Sequence, residues 1–215
     1  KRKIKFDKIE TLYVGANTHR TSINGNYINR YFNHLINEKS KLIEYNNRLK
    51  KLENGAVDIE FITSDFSYLA KSEIKSLSIL KQDLISLNLE IGLINEVAKF
   101  TLNVLNYSLC FEAFLSKTNI SKIYFLSYYS APALGICIAA NKLNIKTIEV
   151  QHGPIGKYHL AYSMNFKNKL NIYKAIPNEI HIWHSSFEKV ISNSFRALKI
   201  TGNYYLNEYI DINNK

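Results

Sequence analysis

Residues 122–153 read KIYFLSYYSAPALGICIAANKLNIKTIEVQHG, and this stretch decides the fold. The apolar run 122–129 predicts a buried strand. Ser130, followed two residues later by proline, predicts a helix over 132–143, because serine caps helices and proline is favoured in their first turn. The stretch 146–152 predicts a second strand. Together they form a βαβ unit, in which the two strands lie parallel and the crossover is right-handed.

Strands and helices continue to alternate outside this unit. Apolar residues at three- and four-residue spacing predict helical structure over 27–52 and over 73–115, the second region divided into two or more helices. Ser185 begins an S-x-x-E pattern, which predicts a further helix start. Short apolar or alternating runs predict strands at Thr11–Ala16, 57–63, 179–184 and 198–201. We therefore predict an α/β fold with a doubly wound, Rossmann-like parallel sheet, whose ligands bind beyond the carboxyl ends of the strands.

Length, cysteine use and charge restrict the class of protein. A chain of 215 residues can bury a substantial core. Cys110 and Cys137 lie in apolar stretches, which favours core packing in a reducing, cytoplasmic compartment over a disulfide framework or a zinc site. The net charge of +10 has two explanations: an overall composition rich in Lys, Asn, Ile and Tyr, or a basic patch that contacts an anionic membrane or nucleic acid. No motif that reads nucleic acid is present, so we expect no nucleic-acid partner.

The uncharged run 123–140 raises the question of a membrane span. Its length is about what a transmembrane helix requires. However, the cap at Ser130 and the proline at Pro132 favour a strand followed by a helix within this run.

Polar residues follow several predicted strands, and the fold would bring their loops to one edge of the sheet. These candidates are 17–20, Asp65, 127–130, 151–153 and His184. His152 is the strongest, because an imidazole with a pKa near 6.5 can take a proton from a hydroxyl at neutral pH. Gln151 offers both a donor and an acceptor, and Gly153 lets a substrate approach the backbone. A single histidine at a strand end is also commonly structural, so both interpretations stay open.

Within and beyond these ranges, five residues are candidate substrate ligands: His19, Arg20, Ser130, His159 and Tyr162. His19 and Arg20 could bind an anionic group, or could be solvated loop residues. Tyr162 could stack on a sugar ring beside His159, or both could anchor a long loop. Asp65 is a rival base, although its context also fits a helix cap.

No metal site and no cofactor are expected. His181 and His184 are spaced so that they point to opposite faces of a strand, which argues against a shared metal. The glycine-rich phosphate signatures of dinucleotide-binding and P-loop proteins are absent.

The stretch 148–153, IEVQHG, followed by His159 and Tyr162, resembles the amino-terminal domain of GT-B-type glycosyltransferases that build bacterial surface polysaccharides such as capsule and lipopolysaccharide. Three other stretches are similar to this family: 24–31 with its NGNY and NRY, 177–183 (PNEIHIW) and 200–203 (ITGN). The resemblance implies the amino-terminal half of a GT-B-like fold. Residues 1–197 would then form the acceptor-side domain, and 198–215 the last strand and hinge toward a carboxyl-terminal donor-binding domain.

The resemblance also implies an activity. The complete protein would transfer a sugar from a nucleotide-sugar to a surface-polysaccharide or lipid-linked glycan acceptor without a metal. His152 would assist deprotonation of the acceptor hydroxyl, while Gln151 and Gly153 shape its pocket. The donor would be a co-substrate bound mainly by the other domain or by a partner subunit, so this chain alone should be inactive. We expect a cytoplasmic location, with peripheral contact at the inner membrane face as an option.

Two alternatives keep the fold and change the function. The chain could be a non-catalytic acceptor-binding subunit of a split glycosyltransferase. It could also belong to a glycerophosphotransferase or a sugar-nucleotide epimerase of related architecture, since both chemistries are compatible with a histidine in the cleft.

Overall fold

The computed structural model of the chain describes residues 6–23, 26–45, 57–58, 74–87, 90–163, 174–191, 195–203 and 205–206. The strands among them are β1 (Thr11–Ala16), β2 (Arg20–Ile23), β3 (Asn26–Asn29), β4 (Ser40–Tyr45), β5 (Val57–Asp58), β6 (Lys122–Phe125), β7 (Lys146–Val150), β8 (Glu179–Ile182) and β9 (Ala197–Ile200). The helices are α1 (Ile74–Ser86), α2 (Ile91–Leu115), α3 (Ala131–Lys142), α4 (Leu160–Ser163) and α5 (Glu188–Ile191). Short 3-10 helices occur at Asn17–His19, Asn33–Leu35 and Ser185–Phe187.

Six strands form one sheet in the order β4-β1-β6-β7-β8-β9, and the two-residue β5 extends it beyond β4. All neighbouring strands in this sheet are parallel. β2 and β3 form a separate antiparallel pair. The predicted α/β class and Rossmann-like parallel sheet are therefore confirmed.

The predicted βαβ unit is formed by β6, α3 and β7, whose strands are parallel as predicted. The strand β6 ends at Phe125, so residues 126–129 belong to the following loop. Ser130 caps α3, since its hydroxyl oxygen accepts a hydrogen bond from the Ala133 backbone N–H at 3.4 Å. The run 123–140 is thus a strand, a loop and a helix. In the part of the chain that the structure describes, no helix is long and apolar enough to cross a membrane.

The helix predicted over 27–52 is wrong. Its described residues form β3, a 3-10 helix and β4, while 46–52 lie outside the described residues. Two contacts explain the difference. The Asn29 side chain accepts hydrogen bonds from the backbone N–H groups of Tyr31 and Phe32, at 3.2 and 3.3 Å, which forms a turn. β4 then pairs along its whole length with β1, a tertiary contact that overrides the local leucine spacing.

The other predicted strands and helices are found, most of them with changed boundaries, wherever their residues are described. The region 73–115 contains two helices, α1 and α2. Of the strand predicted over 57–63, Val57–Asp58 is described, and 59–63 and Asp65 lie outside the described residues. The helix start predicted at Ser185 is instead capped by His184, whose imidazole accepts from the Ser186 backbone N–H at 3.1 Å.

The sheet buries apolar side chains on both of its faces. Alternate residues of β1 show this, because Leu12 and Val14 pack against one cluster and Tyr13 against the other. The larger cluster includes residues of α2 and α3. Cys110 and Cys137 are both buried, as predicted. A strand buried on both faces can be apolar along its whole length, as β1 is.

Gly135 allows α2 and α3 to pack in close contact. A Cβ atom at this position would lie 2.4 Å from Tyr107 Cβ and 2.6 Å from the Val104 carbonyl oxygen. Both distances are too short for any side chain to occupy, so the helix pair requires glycine here.

Candidate functional site

The loops that follow three adjacent strands meet at the carboxyl edge of the sheet. His19 follows β1, Ser127 follows β6 and His152 follows β7. The His19 and His152 ring centroids are 5.3 Å apart, and Ser127 Oγ lies 3.0 Å from His152 Nε2. These three residues form the centre of the candidate site.

Glu149, in β7, connects the loops that form this site. Its carboxylate is fully buried and accepts hydrogen bonds from the Ser127 N–H at 3.1 Å, the Tyr128 N–H at 3.2 Å and the Tyr162 hydroxyl at 2.6 Å. Burial raises the Glu149 pKa to about 8, although these three donors act in the opposite direction. The residue therefore joins the loop after β6 to β7 and α4.

His152 is largely buried, with 17% of its side chain exposed. Burial lowers its pKa, the backbone of Val150 opposes this effect, and the charges of His159 and Arg30 lower the pKa further. The imidazole is therefore neutral at pH 7. Its Nδ1 faces Glu149 Oε1 at 3.7 Å. A hydrogen on Nδ1 would face this acceptor and would leave Nε2 bare to accept from the Ser127 hydroxyl.

Ser127 has a backbone conformation that is uncommon for serine. Its φ angle is 60°, in the left-handed region, which costs a non-glycine residue roughly 1–3 kcal/mol. The hydrogen bond from its N–H to Glu149 fixes this conformation and aims the hydroxyl at His152. Strain of this kind is concentrated at functional sites.

Tyr31, Arg30 and Tyr205 line the same edge. The Tyr31 hydroxyl donates to the His152 carbonyl oxygen at 2.5 Å. The Arg30 guanidinium carbon lies 5.0 Å from the Tyr31 ring centroid and 5.9 Å from that of Tyr205. Tyr205 follows the turn after β9, in which Gly202 has a φ angle of 75°. Asn203 Oδ1 accepts a hydrogen bond from the Tyr205 N–H at 3.1 Å.

Gln151 is buried, whereas Gly153 borders open space. Gln151 is 1% exposed and uses both ends of its amide internally, since Nε2 donates to the Gly153 carbonyl oxygen and Oε1 accepts from the Trp183 N–H. This favours a role in holding the ends of β7 and β8 together. At Gly153 a Cβ atom would meet nothing within 4 Å, so space is available beside His152 for a substrate.

Arg20 and Tyr162 are both buried. Arg20 pairs with Glu44 at 2.6 Å, with side-chain exposures of 2% and 0%. Tyr162 is 2% exposed and donates to Glu149. These contacts favour structural roles over the predicted contacts with an anion and a sugar ring.

His19, Ser130 and His159 have partners of their own. His19 Nδ1 accepts from the Ala16 N–H at 3.3 Å, and Ser130 caps α3. The His159 ring packs against Tyr162, with centroids 4.6 Å apart. His184 caps the 3-10 helix after β8, and the side chain of Asn17 and all of Asp65 lie outside the described residues.

Four residues of this site were not predicted from the sequence: Glu149, Arg30, Tyr31 and Tyr205. Tyr205 falls in the segment predicted as a hinge after the last strand. Glu149 lies inside the predicted strand 146–152, where a charged residue indicates a buried polar partner. Arg30 and Tyr31 fell in the segment predicted as a helix, so no pattern placed them at the sheet edge.

No protein-family model matches this chain, and no curated protein matches it.

Proposed function

We propose that this chain is the acceptor-side domain of a glycosyltransferase that moves a sugar from a nucleotide-sugar to a surface-polysaccharide or lipid-linked glycan acceptor. The observation that carries the proposal is the position of His152. Its imidazole lies at the carboxyl edge of a parallel sheet, where α/β proteins bind ligands, and its Nε2 lies 3.0 Å from the Ser127 hydroxyl oxygen, which supports its ability to accept from a hydroxyl. The resemblance of 148–153 to GT-B-type transferases supports the same assignment.

The chemistry proceeds as a base-assisted displacement. The acceptor oxygen attacks the anomeric carbon of the donor, the bond from that carbon to the nucleotide diphosphate breaks, and His152 Nε2 takes the acceptor proton. Burial keeps His152 neutral before the reaction. A Glu149 oxygen lies 3.7 Å from Nδ1 and orients the ring. Because the Glu149 pKa is raised to about 8, this group is mostly neutral at pH 7 and supplies no full negative charge to the imidazolium.

A serine-nucleophile reaction is the main rival, because Ser127 and His152 are in hydrogen-bond contact. Such reactions use backbone N–H groups near the nucleophile to bind the developing oxyanion. The N–H groups of Ser127 and Tyr128 both donate to Glu149 instead. Because these donors are occupied, the geometry favours His152 as a base for a substrate hydroxyl.

The test is product analysis of the protein as the cell makes it, with a panel of nucleotide-sugars and CDP-glycerol. His152→Gln should lower turnover by about 100- to 10,000-fold, the usual contribution of a general base. His34→Gln is the matched control, since His34 is exposed and lies outside the site, and it should keep wild-type turnover. Near-normal transfer by folded His152→Gln would contradict the assignment. Consumption of CDP-glycerol alone would indicate glycerophosphate transfer.

A further inference from the structure

Arg30 lies in the turn after β3, at the same sheet edge as His152. Its backbone N–H donates to the His19 carbonyl oxygen at 3.2 Å, which ties this turn to the loop after β1. Its guanidinium packs against the rings of Tyr31 and Tyr205. Cation–π contacts of this kind hold a guanidinium in place without neutralising its charge.

Within the part of the chain that the structure describes, Arg20 is paired with a carboxylate and Arg30 is not. Glu44, a buried carboxylate of β4, is engaged by Arg20 and by the Asn29 side-chain amide at 3.1 Å. Among the described residues no carboxylate pairs with Arg30, and its buried Nε has no hydrogen-bond partner. A buried donor on a charged group is costly to leave unsatisfied, so this position favours an anionic ligand.

His19, beside Arg30, adds a second donor at this edge. Burial and the charges of His152 and Arg30 lower the His19 pKa to about 4, so this imidazole is neutral at pH 7. Because His19 Nδ1 accepts from the Ala16 N–H, its hydrogen is on Nε2. The edge therefore presents a permanent positive charge on Arg30 and a neutral N–H donor on His19.

We propose that Arg30, together with His19, binds a phosphate or diphosphate group of a substrate at this edge. A guanidinium presents parallel N–H groups that match two oxygens of one phosphate. The inference rests on the proposed function for the identity of the substrate. That phosphate belongs either to the diphosphate of the nucleotide-sugar or to the phosphate of a lipid-linked acceptor.

Binding measurements distinguish these sources. Inorganic pyrophosphate, UDP and citronellyl phosphate are each titrated into the wild-type protein and into Arg30→Gln, and the His19 and His152 imidazole signals are followed by NMR. Pyrophosphate affinity should fall by about tenfold or more in Arg30→Gln. Lys157→Gln removes the same charge from an exposed position in the loop after β7 and should change affinity by less than about twofold. A larger loss for UDP indicates the donor as the source, and a larger loss for citronellyl phosphate indicates the acceptor.

Unchanged pyrophosphate affinity in folded Arg30→Gln would overturn the phosphate site, whatever sugar transfer the protein performs. Should this variant fail to fold, Arg30→Lys keeps the charge and loses the paired N–H groups. Unchanged affinity in Arg30→Lys would overturn the site equally. Pyrophosphate binding that depends on Arg30, without transfer from any donor, would overturn the proposed function and leave the phosphate site supported.

Discussion

Replacing Arg20 with glutamine should destabilise the fold by about 3–5 kcal/mol, the cost of removing one partner of a buried ion pair. Arg20 Nη2 lies 2.6 Å and Nε 2.8 Å from Glu44 Oε2, and both side chains are almost fully buried. Glutamine supplies no charge to this carboxylate. Among the described residues, Glu44 would then keep the neutral Asn29 amide as a donor, while its side chain is 0% exposed.

The loss is measurable by urea and thermal unfolding. For a domain of this size, each kcal/mol lowers the melting temperature by about 2–4 °C, so Arg20→Gln should melt roughly 6–20 °C below the wild type. Arg20→Leu combined with Glu44→Leu should recover part of this loss, because no charge is left buried. Lys142→Gln breaks the exposed pair with Glu112 at 3.0 Å and should cost less than about 1 kcal/mol. If Arg20→Gln keeps its stability and instead loses pyrophosphate binding, Arg20 is a ligand and the structural assignment fails.

Three further predictions concern the packing and the buried carboxylate. Gly135→Ala should destabilise the protein by about 1–3 kcal/mol or more, measured by urea unfolding, because the added methyl group meets Tyr107. Tyr162→Phe should cost about 1–3 kcal/mol in the same assay and leave ligand affinity unchanged, since it removes a donor to Glu149. The Glu149 pKa rises from 4.5 to about 8 on folding, so its protonation stabilises the fold fully below about pH 4.5, and this contribution is lost as the pH rises through about 8. Glu149→Gln should therefore flatten the fall in urea midpoint between about pH 5 and pH 8.5, and an unchanged fall would contradict the raised pKa.

The central βαβ unit was predictable because its signals are local. Ser130 and the proline after it mark the helix start, and the flanking strands are mostly apolar, with Glu149 as a charged exception in the second. The segment 27–52 lacks such signals. Leucine spacing there fits a helix as well as a strand, and the pairing of β4 with β1 that decides the structure joins residues far apart in sequence. Local periodicity cannot report such a contact.

The candidate site could likewise be predicted only where a local sequence signal marks a residue. His152 stood out because it follows an apolar strand at the edge where ligands bind. Arg20 and Tyr162 are also polar residues in predicted loops, so the sequence makes them candidate substrate ligands as well. Their burial depends on contacts with Glu44 and Glu149, which only the folded sheet brings together. Arg30 could not be located until the turn after β3 was known.

The turn at Gly202 has a practical consequence for anyone who shortens this chain. It directs the backbone from the last strand back over the sheet edge, so that Tyr205 forms one side of the Arg30 environment. Among the described residues, a fragment cut just after β9 would retain every strand of the sheet and nearly all of its core. It would nevertheless lack Tyr205, one of the two aromatic rings against Arg30, so normal folding in such a fragment would not guarantee normal binding at the proposed phosphate site.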